Sequence, residues 1–248
     1  PVVIKALGEK LHHQIITANG KTVAENCADA KSYTEDVITD LSKPFKTETG
    51  LAVVFGNLCE NGAVIKPSAA SKHLMKHTGP AVVFENIEDY HSRVDDPNLN
   101  IDENSIMVLK NVGPIGYPGM PEVGNMAIPK KLLEKGITDM VRISDGRMSG
   151  TGFGTVVLHV SPEAAKGGTL AIVTDGDMIS LDVEDRTLEL LVSKEEIAKR
   201  KAAWKSLHPK ATRGYVKMYQ EHVEQAHLGA DMDFLRGGSG SAVTRDSH

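Results

Sequence analysis

The chain has 248 residues, 40% of them apolar and 25% charged, with 23 glycines and 11 prolines; this balance builds a buried core and excludes collagen-like, coiled-coil and wholly disordered classes. Its 28 basic and 33 acidic side chains leave a net charge of −5 with no long block of one sign, which argues against a nucleic-acid partner. No apolar run approaches the ~20 residues of a membrane helix, the first stretch lacks a cleavable signal, and Cys27 and Cys59 alone cannot make a disulfide framework or a four-thiolate metal site. A cytoplasmic protein without membrane contact is expected. The opening Pro1-Val2-Val3-Ile4 has no initiator Met, so a piece of a longer protein is expected too.

In chain order, Ile4, Leu7, Leu11 and Ile15 share a helical spacing and predict a helical lead-in before a polar turn at Asn19 to Thr22. From Gly50 short, partly β-branched runs predict strands at 51–56, 62–66, 81–84, 105–109, 140–143, 155–160, 170–173, 178–181 and 187–192. Helices are predicted at 87–94, with Glu88 and Asp89 in the first turn, and at 128–133, with Pro129 near the start. Many short strands with few helices favour a mixed barrel or sandwich over a doubly wound sheet. Ser193 and Glu196 then form a capping-box pattern opening a charged helix through about Leu207, followed by a second helix over 212–226. The Gly-rich end from Arg236 to His248 cannot bury much and is expected to be a mobile or docked tail.

Two segments concentrate unusual chemistry. Ser144-Asp145-Gly146-Arg147-Met148-Ser149-Gly150-Thr151-Gly152-Phe153-Gly154 follows a predicted strand; its glycines allow close backbone approach and its side chains offer hydroxyl, carboxylate and guanidinium groups. An ordinary Gly-rich hairpin would read the same way. It is not a phosphate-binding loop, which ends in Gly-Lys-Ser/Thr, nor a clean dinucleotide fingerprint. Gly113 to Asn125 carries three prolines, four glycines and a lone carboxylate, Glu122. A stiff loop holding one acid suits a hard cation such as Mg²⁺, while the plainer reading makes Glu122 a helix-start acid stabilised by the dipole. His73 and His77 have the spacing of two zinc ligands on a helix, but without a third ligand a polar helix face is the better reading. His159 reads as a core histidine in an apolar strand, and Cys27 and Cys59 as structural.

The stretch from Gly50 to about Gly168 resembles the family that unites dihydroxy-acid dehydratase, 6-phosphogluconate dehydratase and the sugar-acid dehydratases. The motifs that carry the resemblance are Gly62-Ala63-Val64-Ile65-Lys66-Pro67-Ser68, Gly119-Met120-Pro121-Glu122, Ser144-Asp145-Gly146-Arg147-Met148-Ser149-Gly150 and His159-Val160-Ser161-Pro162-Glu163-Ala164-Ala165. Their order matches the family's carboxy-terminal half. The resemblance implies a mixed α/β fold, a swivelling β-barrel with flanking helices, divided into a helical connecting segment (1–43), the barrel domain (44–193), C-terminal helices (194–228) and a tail (229–248). It also implies removal of water from a 2,3-dihydroxy acid with Mg²⁺ and an iron–sulfur cluster. On that basis Glu122 is a Mg²⁺ ligand, Ser149 the base at C2, and Thr151 a substrate-pocket residue.

Cys27 and Cys59 match none of the family's cluster cysteines, so the cluster is expected on a missing amino-terminal half and this chain alone is expected to be inactive. Met148, the Thr151 to Gly154 stretch, Leu158 and the tail Arg245-Asp246-Ser247-His248 look like the sugar-acid branch, such as arabinonate or xylonate dehydratase. The alternatives are a dihydroxy-acid dehydratase of branched-chain amino-acid synthesis, or a detached, non-catalytic domain. A serine hydrolase is disfavoured because Gly-x-Ser-x-Gly is absent around Ser149. A homo-oligomer is expected, with the tail docking across a subunit boundary to bring His248 to a sugar-acid site.

Overall fold

The computed structural model describes residues 1–45, 50–150, 152–206 and 210–237. Pro1–Thr49 and Gly50–His248 are separate compact units. In the first, α1 (Val2–Leu7) runs into a 3₁₀ turn at Gly8–Lys10, and α2 (Val23–Cys27) starts at a capping box between Thr22 and Glu25. The helical apolar face expected through Ile15 stops early. Gly8 adopts φ +53°, a conformation suited to glycine that ends the α-helix. Leu11 and Ile15 lie beyond it, and with Ile4 and Leu7 they are exposed.

In the second unit eight strands close into a barrel: β1 (Ala52–Gly56), β2 (Cys59–Ile65), β3 (Lys76–Phe84), β4 (Ile106–Leu109), β5 (Arg142–Ser144), β6 (Val156–Ser161), β7 (Met178–Asp182) and β8 (Thr187–Leu190). The order around the barrel is β1-β2-β6-β5-β4-β3-β7-β8. This is the expected mixed α/β architecture, with α3 (Ile87–Arg93), α4 (Lys130–Leu133), α5 (Lys194–Ala203) and α6 (Gly214–His222) as the flanking helices. Between β1 and β8 Phe55 N donates to Arg186 O at 2.9 Å, and just beyond β1 the Asn57 side chain donates to Leu190 O at 2.9 Å and accepts from Leu190 N at 2.7 Å. Gly56 is needed beside it, since a Cβ there would sit 2.0 Å from Leu188 O.

Alternation along the strands separates two cores. Ala81, Val83, Ile106, Val108, Ile143 and Val157 point into the barrel, where they join Val54, Ile65, Leu181 and Leu188. Val82, Phe84, Met107 and Leu109 point outward, under Tyr90 of α3, Leu132 of α4, Met126 and Ile128. Because β3, β4, β5 and β6 are parallel neighbours, their carboxyl ends share one rim of the barrel. Every loop singled out in the sequence leaves from that rim.

Three local readings are corrected. Thr169–Ile172 is a 3₁₀ turn rather than a strand: Gly168 packs where a Cβ would lie 1.9 Å from Pro162 O, and the tight path lets Leu170 and Val173 fill the barrel core. His73 and His77 share no helix face, because His73 sits in the Lys72–Leu74 turn and His77 in β3, which the pairing with β7 extends back to Lys76. The second C-terminal helix ends at His222, where Val223 leaves to bridge Met232. Ser193 caps α5 as expected, accepting from Glu196 N.

Candidate active-site face

The carboxyl rim is organised by two buried carboxylates. Asp145, just beyond β5, accepts from the backbone N–H groups of Val112 (3.0 Å), Asn111 (3.2 Å) and Ala164 (2.9 Å). Glu163, two residues beyond β6, accepts from Ile115 N at 3.0 Å and Gly116 N at 2.9 Å. Gly113 lies so close that a Cβ would come 2.8 Å from Glu163 Oε2. Burial and then the neighbouring Glu163 push the Asp145 carboxyl up to about 7, because both disfavour its charged form. At the next position around the rim Lys110, itself buried, pairs with Glu85 at 2.8 Å.

From this rim residues 113–126 run beside residues 145–150 and 152–154, over the outward residues of β5 and β6. Gly124 N donates to Arg147 O at 2.8 Å, and Gly124 has no room for a Cβ, which would meet Leu158 Cδ2 at 2.5 Å. Arg147 joins the two segments: its Nε donates to Met120 O at 2.6 Å and its Nη1 to Glu122 Oε1 at 3.0 Å. Two residues on, Ser149 is exposed, and Lys66 Nζ reaches Gly150 O at 3.3 Å. At the lower end outward-pointing Arg142 donates to Asn125 Oδ1, Met126 O and Phe153 O and pairs with buried Asp139 at 2.9 Å. Burial pushes the Asp139 carboxyl up, but hydrogen bonds from Thr155 and Ser71 and the charge of Arg142 outweigh it and hold it below the usual range.

Of the residues singled out in the sequence, Glu122 and Ser149 are both exposed, on two loops that Arg147 joins. Thr151 and His248 lie outside the described residues. The reading of Glu122 as a helix-start acid does not hold: α4 begins at Lys130 with Pro129 as its cap, and Glu122 meets Arg147 instead. His159 sits half-buried in β6 at φ +57°, and burial and then Arg147 push its imidazole down, favouring the neutral ring. Asp145 and Glu163 stood inside the quoted motifs without an assigned role. Their partners lie 33 and 48 positions away, beyond the reach of any local pattern.

Among the described residues no three His, Cys, Asp or Glu side chains gather in a ligand-like group. Glu122 can offer one carboxylate, which fits a Mg²⁺ ion that takes one or two protein carboxylates and completes its shell elsewhere. The cysteines do not fit an iron–sulfur cluster. Cys27 and Cys59 are both buried, and burial, with Glu189 adding to it, pushes the Cys59 thiol up to about 12, far from the thiolate a cluster requires.

Residues 36–230 match the family described as dihydroxy-acid/6-phosphogluconate dehydratase C-terminal. The chain belongs to that family. Within it, the chain is 57% identical over 250 residues to "L-arabinonate dehydratase" of Rhizobium leguminosarum bv. trifolii, covering 100% of this chain and 43% of that protein. It is 48% identical over 260 residues to "L-arabonate dehydratase" of Azospirillum brasilense, covering 100% and 44%. With "Dihydroxy-acid dehydratase" of Carboxydothermus hydrogenoformans the identity is 39% over 234 residues, covering 93% and 41%. This dehydratase-family chain thus sits nearer the sugar-acid relatives, and it spans less than half the length of the curated relatives it matches.

Proposed function

We propose that this chain is the carboxy-terminal part of a hydro-lyase that removes water from a sugar acid (aldonate) to give the 2-keto-3-deoxy acid. The Glu122–Arg147 pair supports the reading: it joins the two motif loops, on which Glu122 and Ser149 are both exposed. The 57% identity to an arabinonate dehydratase supports the sugar-acid substrate over the branched-chain dihydroxy acid.

In this reading Ser149 Oγ takes the proton from C2. The C2–C3 double bond forms as the C3–O bond breaks, the leaving hydroxide departs as water with the proton taken from C2, and the enol becomes the ketone as its O–H proton is lost and C3 is protonated. A serine is a poor base unless nearby positive charge favours its alkoxide; the Lys66 ammonium, 3.3 Å from the O of neighbouring Gly150, would contribute to that charge. A Mg²⁺ held in part by Glu122 would stabilise the negative charge that develops on the substrate as the C2 proton leaves. In the same reading Thr151 and His248, which lie outside the described residues, contribute to substrate binding. The iron–sulfur cluster and the departure of the C3 hydroxyl belong to an amino-terminal portion outside this chain, in a cytoplasmic homo-oligomer.

The test compares this chain with the full-length protein on a panel of aldonates and the branched-chain dihydroxy acid. The expected result is 2-keto acid formation from an aldonate by the full-length protein and none by the chain alone. Turnover by the chain alone would overturn the division of labour, and preference for the branched-chain acid would overturn the sugar-acid reading.

A further inference from the structure

We infer that Glu163 is a positioning residue for Glu122, and that Gln225 orients it from the C-terminal segment. The inference rests on the reading of Glu122 as a metal ligand.

Glu163 is 1% exposed, and a carboxylate so buried must be met by donors. Its donors are informative. Ile115 N lies 3.0 Å from both oxygens and Gly116 N lies 2.9 Å from Oε2, at the start of the Glu122 loop. From the other side Gln225 Nε2 donates to Oε1 at 2.6 Å, and Gln225 Oε1 accepts from Glu163 N at 2.9 Å. His227 Nδ1 lies 2.8 Å from Ser161 Oγ, so residues 225–227 are fixed to the end of β6 at two points. The bonds from Ile115 and Gly116 fall on backbone rather than on mobile side chains, so they fix the path of the chain itself.

The hold is passed along the loop to Glu122. Tyr117 N donates to Gly113 O at 2.9 Å and Met120 N to Tyr117 O at 2.7 Å, while Pro118 and Pro121 restrict the backbone between them. Met120 is held at φ +45°, a conformation that persists only where the surroundings enforce it. Arg147 takes Met120 O and Glu122 Oε1 from the far side. With the loop start released, Arg147 alone would have to set the direction of the Glu122 carboxylate.

The experiment measures Mn²⁺ binding to full-length, metal-stripped protein by the resonance signal of free Mn²⁺, alongside KM for an aldonate and the melting temperature. Glu163→Gln puts an amide where a carboxyl group met two backbone N–H donors and the Gln225 amide; it should weaken Mn²⁺ binding by about tenfold or more, the scale of lost outer-shell support, with KM nearly unchanged. Gln225→Leu should act in the same direction, and it decides the matter if Glu163→Gln does not fold. Glu122→Gln is the reference. If Glu122→Gln weakens Mn²⁺ binding while the Glu163 and Gln225 variants match the parent, the positioning role is overturned. Equal losses in Mn²⁺ affinity, KM and melting temperature would also overturn it, in favour of a structural role. If Glu122→Gln leaves Mn²⁺ binding intact, the ligand reading beneath the inference fails instead.

Discussion

Over β3 and β4 the outer face of the barrel is sealed by side chains: Phe84, Met107 and Leu109 pack under Tyr90, Leu132 and Met126, and α3 and α4 supply the cover. Over β5 and β6 the same alternation presents Arg142 and Ser144 outward, and the cover is two irregular segments tied by hydrogen bonds to Asp139, Arg142, Asp145 and Glu163. Apolar packing is non-directional and needs its groups buried. Buried polar groups bonded to backbone fix a path directionally, so Glu122 and Ser149 can stay exposed on the two segments these bonds hold. The polar face is the one suited to chemistry, and its stability depends on a few bonds.

That contrast can be broken at the Asp139–Arg142 pair, where the largest effect is expected. Asp139→Ala strands a buried guanidinium and removes the acceptor for Thr155 and Ser71; it should cost about 3–5 kcal/mol in urea denaturation. A loss well under 1 kcal/mol would mean that the polar cover is not held by charge. On the apolar face Met107→Ala, at a fully buried position, should cost about 2–5 kcal/mol by opening a cavity, with Mn²⁺ binding by the full-length protein unchanged.

The two buried aspartates should give opposite pH slopes. Asp139 is held below the usual carboxylate range, so the unfolded chain binds more protons, and its stabilising contribution is present above about pH 4 and lost as pH falls. Asp145, pushed up to about 7, keeps a proton that the unfolded chain releases near 4, so its contribution declines as pH rises from about 4 to about 7. Asp145→Asn should flatten that decline in denaturation midpoints; an unchanged slope would show that another group carries it. The smallest effect is expected at Arg147→Ala. Both members of the Glu122–Arg147 pair are nearly half exposed, so stability should move by about 1 kcal/mol or less even where metal binding suffers.

The barrel was legible because its strands are short β-branched runs between turn residues, and the Ser193 cap and the first-turn acids Glu88 and Asp89 marked helix starts. The Thr169–Ile172 turn was not, since a four-residue apolar run has the same composition as a buried strand. Ile4, Leu7, Leu11 and Ile15 kept a helical spacing that one glycine conformation interrupts. At the candidate site Glu122 stood out as the lone carboxylate of a loop of glycines and prolines, and Ser149 through the family resemblance. The Arg147 bridge and the anchoring by Asp145 and Glu163 did not, because they pair side chains with backbone brought close only by the parallel order of β4, β5 and β6.

The central claim, that this exposed face takes a proton from a sugar acid through Ser149, is tested most directly by Ser149→Ala in the full-length protein. Turnover of aldonate to 2-keto acid should fall by at least ~100-fold, the scale of a lost general base, with stability within about 1 kcal/mol of the parent because the side chain is exposed and small. A folded variant that turns over at the parental rate would contradict the account.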